Sequence, residues 1–376
     1  MMKKRIILAG ILSAAMLLSA CSGSVAISDG VLVETEESSV SVEETEASVE
    51  EIEVPVVEST GETVKSFITN EDIDSGISNL RPIAVMIPNN ESALPHYNIS
   101  KASVLYECNV EYNITRLMAI IEDWQNLERI GNVRSTRDYY VYWAMEYDPL
   151  LVHYGNIWYA DELLARDDVH NINGVVDDGT AFYRVTDENR IFEQTAYTSG
   201  QGILKAAAKL GYPITHSEDF SSKQHFFFMP EGSKQTLSEY EESFNVTKLD
   251  LKNVYTVDKP WFEFNPEDGL YYRYEYNGPH MDAATNEQLS FENIIIQFTY
   301  YEKRPDGQYL IYQCHDATRD GYYLTNGKAI HINWKKLGEF GNTMYFDDNG
   351  KNLNINNGKT MICIVQEADR DDVWFE

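Results

Sequence analysis

Residues 22–64 hold twelve acids and neither lysine nor arginine. Serine, threonine, valine and glutamate dominate there, aromatic residues are absent, and no apolar period persists. Such a segment cannot bury enough apolar surface to offset the entropy of ordering it, and its like charges repel. The expectation is a disordered acidic tether over residues 22–78, with a reach on the order of 40 Å. Whatever folds must come from the roughly 300 residues that follow, enough for two domains with cores of their own. The boundaries expected are 79–220 and 221–376.

Upstream of the tether, Lys3, Lys4 and Arg5 precede an apolar run over residues 6–18. That run is too short to span a bilayer and has the layout of a signal peptide, residues 1–21. It closes on Leu18, Ser19, Ala20 and Cys21, which resembles the lipobox of bacterial lipoproteins. The resemblance implies that Cys21 becomes the new N-terminus and carries several acyl chains, palmitate among them. Two or more chains hold a protein stably to a membrane where one does not. The expected address is the extracytoplasmic face of the bacterial cell membrane.

Sixty acids against thirty bases give the chain a net charge of −30. Without the tether acids and the leader bases, the remainder is still at about −21. This excludes nucleic acid as a partner and argues against broad adhesion to anionic wall polymers. It leaves room for one small positive pocket. Cys108, Cys314 and Cys363 lie in strand-like stretches. Cys314 and Cys363 could meet across neighbouring strands, but buried free thiols are expected, without a disulfide framework.

Residues 80–88 form a continuous apolar run, the signature of a strand buried on both faces. Strands are expected at 103–110, 114–122 and 150–154, with a strand, an Asp-Gly turn and a strand over 174–185. Helices are expected near 135–148, 159–166 and 199–210, the last stopped by Gly211 and Pro213. Strands mixed with helices make the first domain α/β or α+β, a layered sandwich. After residue 221 nearly everything reads as antiparallel strand: 270–276, 292–301, 308–314, 328–334, 343–346 and 359–366.

Chemistry concentrates in residues 128–156. Ser135 is placed to cap the helix there, with Asp138 three residues on. Arg134 and Arg137 flank that helix start, where free N–H groups favour an anion. With Arg116, Ser135, His153 and Asp178 they make a candidate ligand site. The plainer reading pairs these arginines with Glu107 or Glu111. Those two glutamates are also candidates for acid–base work on a glycosidic bond. His153 is a candidate general base, with Asp177 or Asp178 to orient it. No two histidines fall at metal-ligand spacing, and no P-loop or dinucleotide fingerprint occurs, so neither metal nor cofactor is expected.

The ordered series RPIAVMI, SVLYE, ITRLMAI, IGNVRSTRDYY, LLVHYG, NGVVDDGTAFYR and AYTS, with its strand-rich tail, resembles the YerB-like lipoproteins. That bacterial envelope family has an N-terminal and a C-terminal domain, and the resemblance covers residues 79–368. It implies an α/β layered sandwich followed by a β-rich domain outside the membrane. Asn132 and Thr136 depart from the family's Gly-Pro-Val-Arg-Ser-Ala-Arg pattern. Glu193, Gln194 and Thr195 stand where it tends to have Pro-His-Asn, which removes a histidine. The functional expectation is a binding or scaffolding lipoprotein for an anion- or glycan-type ligand, with a wall component or envelope protein as partner. The alternative is a hydrolase of wall glycan or phosphodiester that uses Glu107, Glu111 and His153.

Overall fold

The computed structural model describes residues 59–186, 188–217, 220 and 225–376. The leader, Cys21 and the tether up to residue 58 lie outside the described residues. Eleven strands form the main sheet: β1 (Ile83–Pro88), β2 (Val104–Asn109), β3 (Thr115–Ile121), β4 (Leu150–His153), β5 (Asn171–Asn173), β6 (Phe244–Asn245), β7 (Asn293–Thr299), β8 (Ala317–Thr325), β9 (Lys328–Lys336), β10 (Thr343–Phe346) and β11 (Thr360–Gln366). Their order is β6-β9-β8-β7-β11-β2-β3-β1-β4-β5, with β10 alongside β9. Strands from both sides of residue 220 therefore enter one sheet, and β11 sits between them. It runs parallel to β7, with Asn293 opposite Thr360, and parallel to β2, with Thr360 opposite Val104.

The sheet's central strands are apolar at nearly every position because both faces are covered. Ile83, Val85 and Ile87 of β1 point into one core with Leu117 and Met361, while Ala84 and Met86 point into the other with Met118 and Ile362. The second core is closed by α1 (Asp138–Ala144), whose Tyr139, Tyr140 and Trp143 are fully buried in it. A short α2 (Asp161–Leu164) follows. The first core receives Ile203, Leu204 and Ala207 from α3 (Gly200–Leu210). Of the two cap candidates in the sequence, Thr198 and Ser199, it is Ser199 that caps α3 by accepting from the Gly202 N–H at 3.1 Å, and Gly211 ends it, as expected, with φ +70°. A smaller antiparallel sheet built on Trp261–Asn265 and Leu270–Glu275 adds Phe262 and Tyr271 to the first core.

Four expectations need correction. The ordered chain starts well before residue 79: Thr63–Lys65 and Asp72–Asp74 pair as a hairpin. Ile68 between them is buried in the second core, and Ser66 Oγ donates to Glu122 at 2.7 Å, so a few apolar residues suffice to end the tether early. The later strands are not purely antiparallel, because β11 makes two parallel pairings. Over 174–185 only Phe182–Arg184 is strand. There the Asp177 carboxylate turns back to accept from the N–H groups of Gly179, Ala181 and Phe182 at 3.0–3.1 Å, which builds a loop instead. Finally, Ser135 does not cap α1. The cap position is Arg137, without a side-chain cap bond, and the helix has only seven residues. Pro149 does end the segment, with Asp148 in the left-handed region at φ 48°.

Candidate functional site

Arg116 opens β3, and its side chain runs toward the segment that leads into α1. Its Nη1 donates to the Ser135 carbonyl at 2.5 Å and to Ser135 Oγ at 3.0 Å. The same Oγ accepts from Arg137 Nη1 at 2.9 Å. Ser135 is thus a hinge between two guanidinium groups, which is why it is not available to the helix. Arg137 grips both oxygens of Glu111 through Nε and Nη2, at 2.8 and 2.5 Å. Arg134 is half-buried, and its Nη1 donates to the Glu193 backbone carbonyl at 3.0 Å. Among the described residues, Arg137 forms a salt bridge and Arg116 and Arg134 form none. Both of the latter keep a buried Nε without a protein partner.

The electrostatics follow from that arrangement. Burial pushes the Arg116 guanidinium down to about 9, and the charges of Arg137 and Arg134 push the same way. Arg134 is also lowered, by burial first and then by Arg137 and Arg184 against the pull of Glu193. Burial opposes the charge on Arg137 too, but the Glu111 hydrogen bonds prevail and raise it. Of the three cations only Arg137 touches a carboxylate, inside a chain that is otherwise acidic. The helix-start argument for an anion does not hold, since α1 is short and its Asp138 is ion-paired with Arg304.

The other candidates are placed elsewhere. Glu107 is sealed away and held by Arg273, with Nη2 at 3.1 and 3.0 Å from its two oxygens, and by Asn89 and Thr115. Glu111 is locked to Arg137, so the two glutamates do not form an open acid–base pair. His153 is buried, with Nδ1 donating to the Gly155 carbonyl at 2.8 Å and Nε2 3.1 Å from Asn171 Oδ1. Burial lowers its proton affinity. Asp178 lies apart, paired with Lys209 and Thr180, and Asp177 caps its own loop, so neither orients His153.

Sequence reasoning missed a sealed cluster. Arg273 bonds Glu107, Glu275 (2.8 Å) and His280, with Asp258 at 3.6 Å. His280 Nε2 meets His96 Nδ1 at 2.9 Å. Burial drives Asp258 well above the usual carboxylate range, with Glu107 adding to it, and drives His96 down to about 3. His96, Glu275 and His280 offer ligand atoms within 4.8 Å of one another, the geometry of a cation site. The Arg273 guanidinium already supplies positive charge to Glu275 and His280, so the group works as an ion network. Glu107 and Arg273 stand 166 residues apart. The hint in the sequence is a strand whose inward positions are Tyr271, Arg273 and Glu275.

Comparison with known proteins places the chain, by sequence and fold, beside described relatives. Residues 68–213 match the domain described as "Protein of unknown function (DUF3048) N-terminal domain", and residues 250–362 match its C-terminal counterpart. The Bacillus subtilis (strain 168) protein named "Putative lipoprotein YerB" is 27% identical over 314 residues, 83% of this chain and 89% of its own length. The crystal structure of the YerB protein from Bacillus subtilis is similar with a TM-score of 0.71 at 25% identity, over 83% of this chain and 99% of that one. With both domains present in order and the fold shared over 83% of its length, the chain belongs to the YerB-like family of bacterial lipoproteins.

Proposed function

We propose that this chain is a binding protein of the cell envelope, anchored at the extracytoplasmic face of the membrane by lipid on Cys21. Its ligand is a small anion, or an envelope component that carries one, taken by Arg116 and Arg134 around Ser135. Arg137, fixed by Glu111, braces the assembly. One observation carries this reading: two guanidinium groups without a salt bridge among the described residues, in a chain with twice as many acids as bases. Surplus carboxylates had every opportunity to neutralise them, yet both meet only carbonyl and hydroxyl oxygens and each keeps an unpartnered Nε. Planar guanidinium donors suit carboxylate and phosphate oxygens better than any other side chain. The lipobox-like stretch ending at Cys21 and the name of the Bacillus relative, "Putative lipoprotein YerB", support the anchor. Because Glu107 and His153 are sealed, binding without turnover is favoured over hydrolysis.

The test is calorimetric titration of the full chain in detergent with inorganic phosphate. Binding is expected, and it should weaken about ten-fold or more in an Arg116→Ala, Arg134→Ala variant. Arg134→Ala alone, at a half-buried position, keeps the result readable where Arg116 is needed for folding. Unchanged affinity in a folded variant removes the site. Membrane fractionation tests the anchor: Cys21→Ser should leave the membrane fraction, and retention there overturns that part.

A further inference from the structure

Glu111 has a second environment. Beside its bond to Arg137 it lines a groove of about 530 Å³, between the turn at Glu111–Asn113 and the loop joining Tyr301–Lys303 to Leu310–Tyr312. The groove and the guanidinium cluster therefore share a wall. The far wall is fixed to the same cluster: Arg304 pairs with Asp138 and donates through Nε to the Leu310 carbonyl, and the Arg137 guanidinium lies 6.0 Å from the Tyr309 ring centroid.

The groove presents an exposed aromatic ring beside polar side chains that the fold does not engage. Tyr112 lines it with 77% of its surface exposed, and the backbone holds that tyrosine at φ +63° and Asn113 at φ +57°. Tyr112 and Asn113 are the central pair of the tight hairpin turn that joins β2 to β3, closed by the Ile114 N–H on the Glu111 carbonyl at 3.3 Å, and such a turn takes positive φ at both positions and leaves the tyrosine ring in solvent. The amides of Asn113 and Gln308 and the ammonium of Lys303 also line the groove, and none of these side chains forms a hydrogen bond or ion pair among the described residues. Asp306, the other acid on the rim, is turned inward to cap its own turn at 2.8 and 3.1 Å.

We propose that this groove, joined through Glu111 to the arginine cluster, binds the sugar rings of an acidic saccharide. The inference rests on the anion reading above and names the class of molecule that carries the anion. An exposed tyrosine face stacks on the C–H face of a pyranose, amides bond pairs of ring hydroxyls, and the acid group meets Lys303 and the guanidinium donors. The volume falls in the range of built small-ligand sites.

The experiment uses the full chain in detergent with three probes: inorganic phosphate, the disaccharide of N-acetylglucosamine and N-acetylmuramic acid, and neutral chitotetraose. The variant is Tyr112→Gly, which removes the ring and accepts the positive φ, so the turn is kept. The acidic disaccharide is expected to bind more tightly than phosphate or chitotetraose. Tyr112→Gly should weaken the disaccharide about ten-fold and leave phosphate unchanged. Asn113→Ala with Gln308→Ala should act in the same way. Phosphate binding without disaccharide binding, or disaccharide binding indifferent to Tyr112, overturns the saccharide inference and leaves the anion site standing. Disaccharide binding that needs Tyr112 but survives Arg116→Ala, Arg134→Ala sinks the anion site instead. In that outcome the groove still holds sugar, but its tie to the arginines is refuted.

Discussion

His225 shows how much one buried side chain decides. Its Nε2 meets the Tyr147 hydroxyl at 2.8 Å, and Nδ1 has no partner within bonding distance, with the nearest Glu146 oxygen at 3.6 Å. Burial pushes the imidazole down to about 4, with Lys336 adding to it and Glu146 opposing. The native ring is therefore neutral at pH 7, whereas in the unfolded chain it titrates near 6.5. Between those values the unfolded chain binds a proton that the native one refuses. Stability is full above about pH 6.5 and falls as the pH drops toward 4, by about 1.4 kcal/mol per pH unit for one such proton. His96, held near 3 by its own burial, adds a second proton of the same sign. Urea unfolding from pH 7 to pH 4 should show this slope, and His225→Gln should make it shallower by one proton's worth. An identical slope in the variant refutes the assignment. None of this was legible beforehand, because a histidine's spacing says nothing about which tyrosine or glutamate closes over it. The pairing of an arginine with Glu107 or Glu111 was legible, and Glu111, in the turn after β2, is the one that takes Arg137. The freedom of Arg116 and Arg134 was not, because sequence counts charges without showing which ones can reach each other.

Among the elements, β8 is the longest strand the sequence concealed. Its stretch Arg319, Asp320, Gly321 has the composition of a turn, yet it runs as nine residues of strand between β7 and β9. A Cβ at Gly321 would lie 1.9 Å from the Ile296 carbonyl oxygen. The glycine is there because a neighbouring strand passes too close for any side chain. Gly321→Ala should destabilise the fold by about 1–3 kcal/mol, the usual range for overpacking. Gly278→Ala is the control, since its Cβ meets nothing within 4 Å. Equal thermal shifts in the two variants would show that the close approach is not what demands glycine. By contrast β1, β2, β3, β10, β11 and α3 were all readable, because their signals are local: unbroken apolar runs, or alanine periodicity between a serine cap and a left-handed glycine. The α1 cap misled because the serine that looks like a cap is claimed by two arginines from outside the helix.

Across the whole molecule, the family's two sequence domains contribute to one sheet, and β11 is the strand between their shares. Sequence reading found β11 but had no means of placing it, since its partners β2 and β7 lie far away along the chain. A chain that stops after residue 359 loses both parallel pairings at once and the buried residues Met361, Ile362, Cys363 and Ile364. It should show neither cooperative melting nor near-UV dichroism, and a cooperative transition in that truncation would contradict this role for β11. The position of β11 also sets an order of events. A ribosome delivers this strand after every other strand of the sheet, so the nascent polypeptide waits with two raw edges, on β2 and on β7, that only its own tail can join. Until then each edge is a template for any stray strand nearby. The growing chain must be shielded or kept unfolded until β11 emerges.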